Sequence, residues 1–447
     1  MNAGGTYLIS AGEDVNVGKL DLKEGAGVSV WTGETSDLIS AWTEGTTLSG
    51  SVTADNLAGT TAVGNSHLAF FQSDVVTEGN TITATMQKRE GGMAAVATTY
   101  NGRGIGSAVE SAPQSKVFEE FIGATNEQAA RTFDSLGSDI NFAAQNLAVV
   151  NSLTLTRAVK DQAMGYGTAN TAKLDNGVEL WATGIGAWSN ADAGGASTDL
   201  DADFYAGLIG GELQVCSATK LGVFFGAGTT DFKGGNDGDD SDDIHAGIYG
   251  ETNVGSIAAS YGFTYTWQDR ELKRGLVFMD TAGMNTTSYD ADIMQLFGEV
   301  AYTGLNTDAY SVEPYFGFSW IHAKADGFSE KVGSHTMASD FDNQNIEVTQ
   351  LGVRGALPFK LASVDMKVKG DVNWMHFFGD TEAEGTMRIG DAGVAALKGE
   401  ELDNLFGVGL GIEAKAGEST TFGLSYTGAY GSDVTSHGIG VNVRYAF

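Results

Sequence analysis

The chain has 447 residues, enough for one large barrel or two to three ordinary domains, and 57 acidic against 25 basic residues give a formal net charge of -32. That charge repels phosphate backbones and excludes a DNA or RNA partner. An aromatic content of 10% without a G-X-Y period excludes collagen-like and disordered chains, and the single Cys216 excludes a disulfide framework.

Residues 1–15 carry neither a basic start nor an apolar core, so no signal peptide is expected there and an exported chain would begin inside a longer precursor. Over residues 1–100, short runs such as Tyr7 to Ser10, Val15 to Leu20, Val28 to Thr32, His67 to Val76 and Thr81 to Met86 are separated by Gly, Asn, Asp and Thr turns. Stacked rungs of a β-solenoid have that pattern, and a small independent β domain is the alternative. Residues 115–166 are different: rich in Ala, Leu, Gln and Asn and free of proline, they predict helix.

From 175 to 447 the period changes to two. Twelve segments of strand length are expected at 178–188, 202–214, 219–229, 243–253, 256–268, 291–303, 310–322, 347–358, 362–377, 403–415, 419–430 and 434–447. In the fifth, Ile257, Ala259, Tyr261, Phe263, Tyr265 and Trp267 oppose Ser260, Gly262, Thr264, Thr266 and Gln268. In the last, Ile439, Val441, Val443, Tyr445 and Phe447 alternate with Gly438, Gly440, Asn442, Arg444 and Ala446. One face is lipid-like and the other small or polar, as in an outer-membrane barrel.

A soluble sandwich also alternates, and the connections decide between the two. Short ones at 215–218, 254–255, 304–309, 359–361 and 416–418 interleave with long ones at 189–201, 230–242, 269–290, 323–346 and 378–402, the asymmetry of a membrane barrel with tight turns on one side. The absence of a stretch of about eighteen apolar residues excludes only a membrane helix. The acidic run from Asp237 to Asp243 lies in an expected loop, lacks EF-hand spacing, and reads as solvated rather than calcium-binding.

A barrel of this strand number falls between those filled by their own side chains and those with open channels, and leaves room for a helix about 10 to 12 Å across. Asn146, Asn151, Arg157, Lys160 and Asp161 suit a polar lumen better than a dry core. Their candidate partners, inward by alternation, are Glu299, Glu313, Arg354, Lys367, Lys369, Asp371, Glu413 and Arg444.

Little else carries chemistry. The six histidines show no paired ligand spacing, so no metal or cofactor is expected, and no Gly-x-Ser-x-Gly elbow occurs. Asp134, Ser135 and Leu136, with Asp242 and His245 far downstream, superficially imitate a Gly-Asp-Ser-Leu esterase, but Phe133 stands at the glycine position. Alternate glycines 407, 409 and 411 read as space for a helix rather than as a nucleotide loop.

The Phe133 to Gly137 step, the Leu155 to Val159 step Leu-Thr-Arg-Ala-Val, a first strand with Trp181 and Trp188 around Gly184 and Gly186, and a terminal aromatic strand together resemble the autotransporter translocator, the barrel of type V secretion. The resemblance covers about residues 120–447. It implies an all-β, twelve-stranded antiparallel membrane barrel with an α-helix in its lumen, linked to an exported amino-terminal passenger. It also implies a monomeric barrel in outer-membrane lipid of a Gram-negative bacterium, whose terminal strand, here Val443, Tyr445 and Phe447, is read by the barrel assembly machinery. Members that cleave themselves do so at an Asn-Asn pair, whereas Asn141, Asn146 and Asn151 are isolated here. A stand-alone channel or adhesin acting through its long loops is the other membrane reading.

Overall fold

In the computed structural model, which describes residues 5–59, 63–64, 66–137, 140–164, 178–192 and 199–446, twelve antiparallel strands each pair with the next in sequence, and the last pairs with the first. They run Val178–Ala191, Leu200–Cys216, Thr219–Gly234, Asp237–Val254, Ile257–Phe278, Thr281–Tyr302, Ser311–Ala325, Gln344–Leu361, Val364–Gly379, Asn404–Ala416, Thr420–Tyr430 and Val434–Ala446. Each expected segment falls on one of them. The closing pair sets Val441 against Gly184 and Tyr445 against Leu180. With the ring sealed, no ladder edge is left at membrane depth.

The expected alternation sets the faces. Ile257, Tyr261, Trp267, Phe406, Leu410, Val372, Trp374, Ile439 and Val441 point outward and are exposed, whereas Ser260, Thr264, Thr266 and Gln268 point inward and are buried. Among the described residues no helix is long and apolar enough to cross a membrane, and the barrel strands carry an outward apolar band of the kind a membrane barrel presents.

Two expected loops are strand. Residues 230–242 and 269–290 continue the ladders as tall hairpins that turn only at Gly235–Asn236 and at Met279–Asp280. Above the lipid a strand can be polar on both faces, so the period-two signal fades while the ladder continues. The acidic run therefore divides by side, and it is not a solvated loop: Asp239 and Asp243 point inward and are buried, Asp239 bonding Arg270 at 3.3 Å and Tyr289 at 2.6 Å, while Asp240 points outward to Lys273 at 2.7 Å.

Two further long connections, 323–346 and 378–402, also carry structure. They give Phe328–Val332, His335–Phe341, Glu382–Ile389 and Val394–Glu401, which pair in that order as a separate antiparallel sheet over the long-loop end of the barrel.

The helical region is divided. Instead of one run there are Lys116–Phe121, Asn126–Leu136 and Ile140–Met164, of which only the last enters the barrel, and a further helix, Tyr100–Glu110, precedes them. The first three of these helices each start at a cap: Thr99, Ser115 and Thr125 accept from the N–H of Gly102, Phe118 and Gln128, and Thr125 and Gln128 form a reciprocal capping box. In Tyr100–Glu110, glycines 102 and 106 replace side chains that would strike Asp134 and the backbone of Ala94, so this glycine-rich segment is helical because it is packed closely.

The amino-terminal region stacks strands in parallel before it closes. Thr6–Ser10 lies beside Gly27–Trp31, and Asp14–Leu22 beside Leu48–Gly59, with Tyr7 opposite Val28 and Val15 opposite Val52. An antiparallel hairpin, Phe71–Glu78 and Thr81–Lys88, then extends the second sheet through the pairing of Thr81–Lys88 with Leu48–Gly59, and the helix Thr35–Thr43 lays Trp42 edge-on against Phe70, Phe71 and Phe118.

Closure is testable by crosslinking. Gly184 and Val441 face each other on the lipid side of the closing pair, so the double variant Gly184→Cys/Val441→Cys is expected to form a disulfide under mild oxidation in the membrane-embedded protein. Persistently free thiols at these two positions would contradict the closing register.

Candidate functional site

The lumen is the concave feature with the most convergent chemistry. The helix Ile140–Met164 enters it at the long-loop end and descends toward the short turns, lying closest to the first seven strands, with cavities between its lower half and the remaining wall. Its upper part is held by an apolar collar in which Ile140, Ala144, Leu147 and Ala148 pack against Leu200, Phe232, Leu272, Ile321, Ile346 and Phe377. At the same level the Asn146 amide donates to the Glu400 carbonyl, and its oxygen accepts from Gln344 at 3.0 Å. Asn151 is buried farther along the helix.

Below the collar the contacts become charged. Arg157 donates to Asp371 at 3.0 Å, and Lys160 to Glu299 at 2.9 Å. Thr156 donates to Gln295 at 2.8 Å. Glu299 also receives Arg354, whose Nε donates to Glu313 at 2.9 Å, while the second oxygen of Asp371 accepts from Tyr315 at 2.9 Å. Lys369 pairs with Glu413, with Lys367 at 3.8 Å from the same carboxylate. Arg444 donates to the carbonyl of Gln162 near the helix end and pairs with Glu179. Asp161 lines the same space beside Arg157 and Lys369.

All eight wall residues named from the alternation thus face inward, and two helix cations meet wall anions directly. A charge taken from water is tolerable only when paired and hydrogen-bonded. The helix cations are partly accessible, so each pair is worth less than a dry one, but removing one member still strands a buried carboxylate. Gly409 belongs to this geometry, because a Cβ there would lie 2.0 Å from the Arg157 guanidinium.

A second set of inward residues was not singled out from the sequence. Trp181 lies over Gly210, Tyr249 over Gly222, Phe224 over Gly247, Phe297 over Gly262 and Tyr315 over Gly352, each glycine directly across the ladder from its ring. An aromatic fills the space its neighbour leaves. The legible signal was inward glycine and inward aromatic on adjacent strands, which requires the register. Trp181 Nε1 also donates to the Tyr249 hydroxyl at 2.6 Å.

The remaining candidates fall elsewhere. Tyr445 points outward and is exposed, Val443 is half-buried, and Phe447 lies outside the described residues. Asp134 accepts from the N–H and hydroxyl groups of Thr98 and Thr99, and the Ser135 hydroxyl bridges Gly275 and Val277, so both serve packing. Among the described residues no group of His, Cys, Asp and Glu has metal-binding geometry.

A closed membrane barrel plugged by the helix that precedes its first strand is a secretion-type translocator architecture. Residues 180–427, more than half of the chain, match the Autotransporter beta-domain family, and the chain belongs to it. Its barrel is accordingly an autotransporter translocator domain. Two extracellular serine proteases of Serratia marcescens are similar: one is 28% identical over 273 residues, 60% of this chain and 26% of the protease, and the other 26% identical over 340 residues, 74% and 32%. The chain therefore spans only about a quarter to a third of the curated relatives it matches. Among solved structures, the translocator domain of the autotransporter NalP from Neisseria meningitidis matches with a TM-score of 0.55 at 16% identity, covering 70% of this chain and 99% of that one. The transport unit of AIDA-I from Escherichia coli gives 0.51 at 15%, covering 68% and 99%. At these identities the likeness establishes the fold.

Replacing Arg157 or Asp371 by Ala is expected to lower the heat-unfolding midpoint of the folded barrel on gels, and a double-mutant cycle should give a coupling of about 1–3 kcal/mol. Additive effects would mean that the pair does not hold the helix. Gly409→Leu should reproduce the loss with both charges intact.

Proposed function

We propose that this chain is the membrane end of an autotransporter in a bacterial outer membrane: the barrel anchors in outer-membrane lipid, supports passage of its own passenger to the cell surface, and is then plugged by the helix. The observation that carries this reading is the match between the cations of the helix, Arg157 and Lys160, and the inward anions Asp371 and Glu299. A segment that must pass through a wet pore and stop there needs side chains that are soluble in transit and paired at rest.

Residues 1–100 are then the tail of the passenger, residues 115–166 the linker with its pore helix, and 175–447 the barrel. The parallel pairing of Thr6–Ser10 and Asp14–Leu22 supports a β-solenoid ending, because both strands are outer members of their sheets and present an edge to a preceding rung. The outer-membrane assembly machinery would read Val443, Tyr445 and Phe447, the outward residues of the terminal strand. The barrel anchors and conducts without catalysing a reaction. The alternative, a stand-alone channel or adhesin working through free loops, is disfavoured because the long loops pack against the amino-terminal region.

Two measurements test this reading. Deleting residues 140–164 should raise single-channel conductance in planar bilayers several-fold, and unchanged current would count against a plug. Removing Phe447 should cut the yield of heat-modifiable barrel in the membrane severely, whereas normal yield would remove its role in assembly.

A further inference from the structure

The loops of the barrel and the segment before the lumen helix share one hydrophobic core. Phe278 and Leu276 from the tall hairpin, and Val332, Met337, Met387, Ile389 and Leu397 from the loop sheet, are buried with Ile105, Val109, Phe118, Phe121, Phe133 and Leu136. Phe121 stacks on Phe133 at 4.8 Å and meets Phe278 edge-on at 5.3 Å.

The polar contacts make this more than apolar coverage. Val394–Glu401 is the outer strand of the loop sheet, and Asn101, 1% exposed, donates to the Lys398 carbonyl at 2.8 Å and accepts from the Lys398 N–H at 3.0 Å. One side chain thereby makes both bonds of a missing ladder partner. The tall hairpin has a second open edge, because the fourth strand pairs with the fifth only as far as Lys273. Along that edge the Gly275 carbonyl accepts from Ser135 at 3.2 Å, the Val277 N–H donates to Ser135 at 2.8 Å, and the Met279 N–H donates to Thr132 at 3.0 Å. The helix face at 128, 132 and 135 thus matches alternate groups of a strand, with Gln128 reaching Asp280 at 2.9 Å.

Arg274 fixes the join. It donates to the Leu136 carbonyl at the end of the helix at 3.0 Å and pairs with Glu330 of the loop sheet at 2.9 Å, both side chains being 0% exposed. Cations belong at helix carboxyl ends, where unpaired carbonyls gather. Without residues 100–136 the loops would present two strand edges, an apolar face and a buried ion pair with one side missing.

We infer that the outer loops form a receptor for residues 100–136 of this same chain, one that holds the exported region on the barrel independently of the covalent link through the lumen helix. This rests on the translocator reading for which side is outside. Its consequence is that a cut between Gly137 and Ile140 leaves the passenger tail, and whatever precedes it, on the cell. Asn101, Thr132 and Ser135 of the stem pair with backbone groups of the loops, and Arg274 and Asp280 of the loops add charge-assisted bonds to Leu136 and Gln128.

The test uses the full chain in cells, with a specific protease site and flexible flanks inserted between Gly137 and Ile140. After complete cutting, confirmed on denaturing gels, the fragment ending at Gly137 is expected to stay with washed cells at high salt and to come away in urea that leaves the barrel in the membrane. The double variant Asn101→Ala/Thr132→Val, which keeps the apolar core, is expected to lose the cut fragment on the order of tenfold faster. Release of the unmutated fragment in the first wash, or equal retention by the double variant, would overturn the receptor. Surface labelling of the uncut protein reads the translocator assignment separately.

Discussion

The structure depends on one constraint: at membrane depth no backbone N–H or C=O group can be left without a partner, because lipid supplies none. A ring of twelve strands meets it by pairing Val434–Ala446 back onto Val178–Ala191. Closure in turn creates an interior too wide for its own side chains, and that interior must be filled or wet. The helix Ile140–Met164 divides the task, dry where Leu147 meets the collar and charged where Arg157 and Lys160 meet the wall. The charged half costs desolvation and is kept in place by reciprocal pairing, as when Asp371 serves both Arg157 and Tyr315.

Much of this was legible in the sequence because lipid imposes a strict code. Along Ile257–Gln268 every second residue must be apolar, and the ladder in the structure has that phase. The inward charges followed from the same parity. Parity stops being informative where the lipid stops. Residues 269–290 read as loop because Asp, Glu, Lys and Arg crowd both faces, yet the ladder continues to Phe278 and resumes at Thr281. Register was equally hidden, so the pairing of Trp181 with Gly210 emerged only once the strands were aligned. The glycines of Tyr100–Glu110 argue locally against helix, and only the close approach of Ala94, Asp134 and Ala396 makes them favourable.

Outside the membrane the problem reverses, since strand edges and apolar faces now meet water. The loop sheet and the tall hairpin are not self-sufficient, and the helices that precede the lumen segment complete them through Asn101, Thr132, Ser135 and Phe121. Asp391 belongs to this junction, accepting the N–H of Lys116 and of Val117. Those backbone donors lower its pKa below the ordinary carboxylate value of 3.8, so its contribution is fully present above that value and is lost as the pH falls through the lowered one. Anchor, plug and outer junction thus follow one rule applied in two solvents.

The central claim is that residues 140–164 rest inside the cylinder as a helix paired with its wall. Amide hydrogen exchange on the membrane-embedded full chain tests it most directly. The account predicts that amides of the lower half of this helix, around Arg157 and Lys160, exchange about as slowly as those of the barrel strands. Exchange within seconds, at the rate of an isolated helix in water, would contradict it.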